Sequence, residues 1–129
     1  MLEIRYSAPY GLDVSGTVDE LQIVQLGILD LIKSENTRIS FAASDAIDPA
    51  PYKSALSKLV IVKGQGPTKV SHSNDKEILV EGSAFCLEAF ASFFGFTPDA
   101  EKGAHSHYEY YEGNEWIASD SIPLVIGVQ

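Results

Sequence analysis

The sequence predicts an α+β fold, with one mainly antiparallel sheet and two helices packed on one of its faces, in the order β-α-β-β-β-β-α-β-β. Three features carry that prediction. A helix-start signature, TVDE at Thr17–Glu20, opens a long run with helical apolar spacing. Short alternating runs broken by tight turns fill the middle of the chain. A second capped run, AFCLEAFASFF, is nearly free of charge and precedes two more strand-like runs.

Taken in order, LEIRY (Leu2–Tyr6) alternates and reads as a first strand, and SAPYGLDVSG as a turn-rich connection. Thr17 can cap a helix while Glu20 reaches back to the Thr17 backbone N–H. The helix should run to about Lys33, where SEN ends it. At helical spacing Leu21, Val24, Ile28, Leu31 and Ile32 share one arc and face the core. Ile23, Leu26 and Leu29 intrude on the opposite, polar side, so a loop, a subunit or a partner is expected to cover it.

RISFAA (Arg38–Ala43) reads as the second strand, and SDAIDPAPY, with its prolines, as irregular chain. SKLVIVKG, TKVSHS and EILVEG then read as strands joined by turns at GQGP and at Asn74–Asp75, an antiparallel meander. Ser83 can cap the second helix, which Gly95 closes. Glu88 is its only charged residue, so most of it should be buried across the sheet. TPDAEKGA is a loop, HSHYEYY (His105–Tyr111) a strand, EGNE a tight turn and WIA the return. PLVIGV forms the last strand, with Pro123 where a strand can begin. No sequence repeat or linker divides residues 1–129, which predicts a single domain.

Composition narrows the function. An apolar share of 45% and a charged share of 21% are those of an ordinary globular chain. No apolar run is long enough to span a membrane, and the start MLEIRYSAPYG lacks the order of a signal peptide, so a cytoplasmic protein is expected. The single cysteine, Cys86, fits a reducing compartment. The net charge of −9 is concentrated at the two ends: residues 1–36 carry −4, residues 37–98 are neutral and residues 99–129 carry −5. That sign argues against nucleic-acid binding and would draw in a basic partner.

The stretch HSHYEYYEGNEW (His105–Trp116) concentrates the candidate chemistry. On a strand, His105, His107, Glu109 and Tyr111 would share one face, and Ser106, Tyr108, Tyr110 and Glu112 the other. Two imidazoles and a carboxylate are acceptable metal ligands, so a small metalloenzyme using His105, His107 and Glu109 is the alternative reading. No obvious further ligand supports it: His72 is the only other histidine, and Cys86 sits in an apolar helix where a thiol acts as a small hydrophobe. GQGPTK (Gly64–Lys69) lacks phosphate-loop spacing, and no nucleophile elbow is present. Nothing compels an enzyme or a cofactor. Tyrosine and tryptophan carry protein interfaces, because each brings a large rigid area and a polar handle. His107, Tyr108, Glu109, Tyr110, Tyr111, Glu112 and Trp116 therefore form the candidate partner-binding patch, acidic and aromatic. A homodimer through Ile23, Leu26 and Leu29 is a further possibility.

The run HSHYEYYEGNEWIASDSIPLVIGV also resembles the C-terminal signature of a family of bacterial polymorphic-toxin immunity proteins. The matching positions are His105, His107, Glu109, Tyr110, Tyr111, Ser121, Pro123, Leu124, Val125 and Ile126, so the likeness covers about the last fifth of the chain. It implies a small cytoplasmic protein, encoded beside a toxin, that binds and neutralises that toxin without catalysis or cofactor.

Overall fold

The computed structural model describes residues 1–8, 10–74 and 76–129. Its elements run β1 (Glu3–Ser7), β2 (Gly11–Gly16), α1 (Val18–Lys33), β3 (Arg38–Ala42), β4 (Ser54–Leu56), β5 (Lys58–Lys63), β6 (Lys69–Asn74), β7 (Glu77–Gly82), α2 (Ala84–Ser92), β8 (His105–Tyr108) and β9 (Leu124–Val128). The α+β class stands, and the expected order returns once two additional strands, β2 and β4, are set aside. The turns expected in SAPYGLDVSG and at Asn74–Asp75 fall partly on Pro9 and Asp75, which lie outside the described residues.

The helix starts form as their sequences direct. Thr17 Oγ1 accepts from the Glu20 N–H at 3.1 Å, and Glu20 Oε1 accepts from the Thr17 N–H at 2.9 Å. This reciprocal pair satisfies two donors that a helix start leaves free. Ser83 Oγ caps α2 through the Cys86 N–H at 3.2 Å. The core arc of α1 is buried at Leu21, Val24, Ile28 and Leu31. Ile23 and Leu26 are 63% and 52% exposed, so among the described residues no loop lies over them.

The strands divide between two mixed sheets, where one was expected. One has the order β4-β1-β2-β9-β8 and the other β3-β5-β7-β6. Pairing is antiparallel except between β2 and β9 and between β5 and β7. The chain changes sheet at Ser57, since β4 pairs with β1 while β5 pairs with β3 and β7. The sheets meet where Leu2 bridges Ala43 and where the Tyr6 and His72 rings lie 4.4 Å apart. Helix α1 packs on α2 and against strands of both sheets, and α2 packs on β7. The inward faces of both sheets and both helices feed one apolar cluster, from Ile4, Val14 and Ile126 to Leu59, Ile78 and Phe90.

WIA does not return along β8. Thr68 N–H donates to Trp116 O at 2.9 Å and Ala118 N–H to Thr68 O at 2.8 Å. Further along, Ile122 N–H donates to Val70 O at 2.9 Å and Val70 N–H to Ser121 Oγ at 2.8 Å. Residues 116–122 thus cover the start of the free edge of β6, which a bare edge strand would leave open to unwanted pairing. The chain then enters the middle of the other sheet as β9, between β2 and β8.

Gly11 permits that entry. Its φ is +89°, a region that L side chains rarely adopt, and a Cβ there would collide with the Pro123 carbonyl oxygen. That oxygen accepts from the Leu12 N–H at 2.9 Å and starts the β2–β9 ladder. Gly11→Ala should therefore cost about 2–4 kcal/mol, as combined backbone strain and overpacking. Urea denaturation checks this, and a change below about 0.5 kcal/mol would show that the ladder start tolerates a side chain.

Candidate functional site

The site is built on Tyr108, the last residue of β8 and only 2% exposed. Strand alternation turns Ser106 and Tyr108 inward and His105 and His107 out to solvent. The Tyr108 ring meets Phe90 and Phe93 edge-on, at centroid distances of 4.9 Å each. Contacts of that geometry add roughly 0.5–1.5 kcal/mol apiece beyond area burial. Ser106 Oγ donates to Phe93 O at 2.9 Å, which ties the same strand to the end of α2. The Tyr108 hydroxyl turns toward the buried Thr68 hydroxyl without completing a hydrogen bond of good geometry. Burial pushes the phenol up to about 12, and the Thr68 contact pulls the other way.

After Tyr108 the chain leaves the sheet, because its partner strand runs out: Tyr108 pairs with Leu124, and Pro123 before it has no N–H to offer. Residues 109–117 form a loop that reaches across to β6. Gly113 takes φ +90°, Asn114 N–H donates to Tyr111 O at 3.0 Å, and Trp116 N–H donates to Asn114 Oδ1 at 2.8 Å. Between this loop and α2 lies a groove of about 500 Å³. Ala89, Phe93, Tyr108 and Ile117 are among the residues that line it, with Tyr111 and Trp116, and Glu109 and Glu115 stand beside them. A second depression of about 330 Å³ continues past Trp116 between the helices, lined by Gln25, Leu29, Phe85 and Glu88. Trp116, 47% exposed, is shared by both and stacks edge-on against Phe85 at 5.0 Å.

Of the residues singled out from sequence, His107, Tyr108, Glu109, Tyr111 and Trp116 line the groove. Tyr108 does so from within the core, so it supports the surface and presents little area of its own. Tyr110 and Glu112 are exposed beside the groove without lining it. The sequence pattern assigns Phe85, Phe93 and Glu88 to no site. The second helix was expected to be mostly buried, whereas Phe85 is 63% exposed in its first turn. The one legible hint was Glu88, which marks the solvent side three residues after Phe85.

The histidine-rich face differs from the metal reading. The His105 and His107 rings lie 5.0 Å apart, but among the described residues no group of three His, Cys, Asp or Glu side chains is placed to hold a metal ion. Glu109 falls beyond the strand end, so the alternation that would bring it beside His107 has stopped. The two imidazoles instead border a shallow depression on the outer sheet face, lined by Arg5, Asp13 and Ser15 together with Val125. There burial raises the Asp13 carboxyl above its ordinary range, and nearby Arg5 partly offsets that.

The chain matches no family model, no curated protein and no solved structure. Among the described residues, no helix is long and apolar enough to cross a membrane.

Removing only the Tyr108 hydroxyl should separate its two roles. Tyr108→Phe keeps the ring contacts and should change stability near neutral pH by less than about 1 kcal/mol, while Tyr108→Ala should cost about 3–5 kcal/mol. The pH dependence follows from the raised phenol. Below its unfolded pKa of about 10 the group is neutral in both states and its contribution is intact. Above that the unfolded chain ionises first, and up to about 2–3 kcal/mol is lost as pH rises toward 12. Unfolding free energies from urea titrations near pH 8 and pH 11 should therefore differ by about 1 kcal/mol more in the parent than in Tyr108→Phe. Equal pH sensitivity would place the alkaline loss in other groups.

Proposed function

We propose that this chain is an immunity-type binding protein that neutralises a cognate bacterial toxin in the cytoplasm by direct protein–protein contact, with no chemical step and no cofactor. The observation that carries the proposal is the groove beside α2, where exposed aromatic rings share one surface with acids that have no ion-pair partner among the described residues. Trp116, Tyr111 and Phe85 lie together in the open, and single-chain proteins seldom leave large aromatics grouped in that way without a partner. The resemblance of residues 105–126 to immunity proteins supports the same reading, because the loop that lines the groove lies inside it.

Electrostatics sets the partner's sign. Residues 99–129 carry six acids against one base, which favours a basic toxin domain and speeds its encounter. His107, Glu109, Tyr110, Tyr111, Glu112 and Trp116 supply the contact surface, and Tyr108 holds it in place from beneath.

The neighbouring reading frame supplies the test. Its product should co-purify with this protein, and cells expressing it should survive only when this protein is present. Trp116→Ala combined with Tyr111→Ala should weaken the complex by at least about 30-fold, the loss of roughly 2 kcal/mol expected of central aromatic contacts. A neighbouring toxin that kills equally with and without this protein sinks the proposal.

A further inference from the structure

We infer that the groove takes an arginine side chain from a basic segment of the partner, an inference that rests on the partner-binding role just proposed. Three features of the groove converge on that chemistry. Its floor, from Ala89, Phe93, Tyr108 and Ile117, is apolar and suits the methylenes of a long side chain. Its exposed walls are the Trp116 indole and the Tyr111 phenol, whose ring faces attract a planar cation. Its margin carries Glu109 and Glu115, with Glu88 in the adjoining depression, and among the described residues no lysine or arginine lines either one, His107 being the only basic side chain at the groove.

Those three carboxylates have no cation within ion-pair distance among the described residues. Among the described residues the paired carboxylates are those of Glu3, Glu20, Asp45, Glu77 and Asp120, so the groove acids belong to the larger group left free for a partner. An anionic ligand would face the Glu109 and Glu115 carboxylates in the groove, with only the His107 imidazole to set against them. A purely apolar one would leave the carboxylates unanswered. A guanidinium satisfies both parts, since it stacks on an aromatic face and forks onto a carboxylate, which an ammonium cannot do.

Trp116 is the only tryptophan in the chain, so its fluorescence reports occupancy of the groove directly. The probe is a short arginine-rich peptide titrated into the intact protein, beside a lysine-rich peptide of equal length and a neutral glycine–serine peptide bearing one leucine. The arginine peptide should change Trp116 emission saturably and bind most tightly. Glu109→Gln with Glu115→Gln should weaken it at least about tenfold, while near-ultraviolet circular dichroism shows the fold intact. The inference is overturned by no saturable change, by equal binding of the lysine or leucine peptide, or by a double variant that binds as tightly as the parent. If the neighbouring toxin is captured while the arginine peptide leaves Trp116 unchanged, the immunity role survives and the arginine groove does not. Peptide binding without toxin capture is the reverse case.

Discussion

The ring of Tyr108, held between Phe90 and Phe93 with its hydroxyl against Thr68, is the contact on which the candidate surface depends. It joins the end of β8 to α2 and to the start of β6, three elements far apart in sequence. Just beyond it the chain must leave the sheet, and a few residues later Thr68 takes the returning backbone at Trp116 and Ala118. Both ends of the 109–117 loop are therefore fixed to neighbouring parts of one core. A loop tethered in this way loses less conformational freedom on binding than a free one, so more of its contact energy is left for affinity.

That arrangement depends in turn on β9. The strand runs parallel to β2 and antiparallel to β8, with Leu124, Ile126 and Val128 buried beneath both. Without it β8 would have no neighbour in the sheet, and Tyr108 would lose its register against Leu124. The acidic charge near the groove fits the same division of labour. The core anchors of the loop are apolar, while Glu109, Glu112 and Glu115 face water, where unpaired carboxylates cost little until a cation arrives.

Much of this was legible in the chain wherever the signal is local. The Thr17–Glu20 capping box, the buried arc of α1, the Ser83 cap and the strands at 58–63, 69–74 and 77–82 follow from local spacing, but the expected antiparallel meander does not form, because β5 runs parallel to β7 and does not pair with β6. What local pattern could not show is which strand meets which. Residues 11–16 alternate, yet Gly11, Gly16 and the preceding Pro9 made them read as a connection; a distant partner, β9, makes them a central strand. The same limit explains WIA, whose hydrogen bonds go to Thr68 and not to β8. It also explains the histidine face, where alternation holds for four residues and then stops because β9 has no residue left to pair. The aromatic patch was visible in composition, but its neighbours Phe85 in α2 and Phe93 just past its end depended on a helix whose exposed side the apolar sequence concealed.

Amide hydrogen exchange on the free protein and on its complex with the neighbouring toxin tests the central claim most directly. The account predicts new protection centred on residues 109–117 and the exposed face of α2, with little change on the outer face of the five-stranded sheet around Arg5, Asp13 and His105. Protection confined to that outer face or to the Ile23–Leu26 side of α1, with the 109–117 loop unchanged, would contradict it.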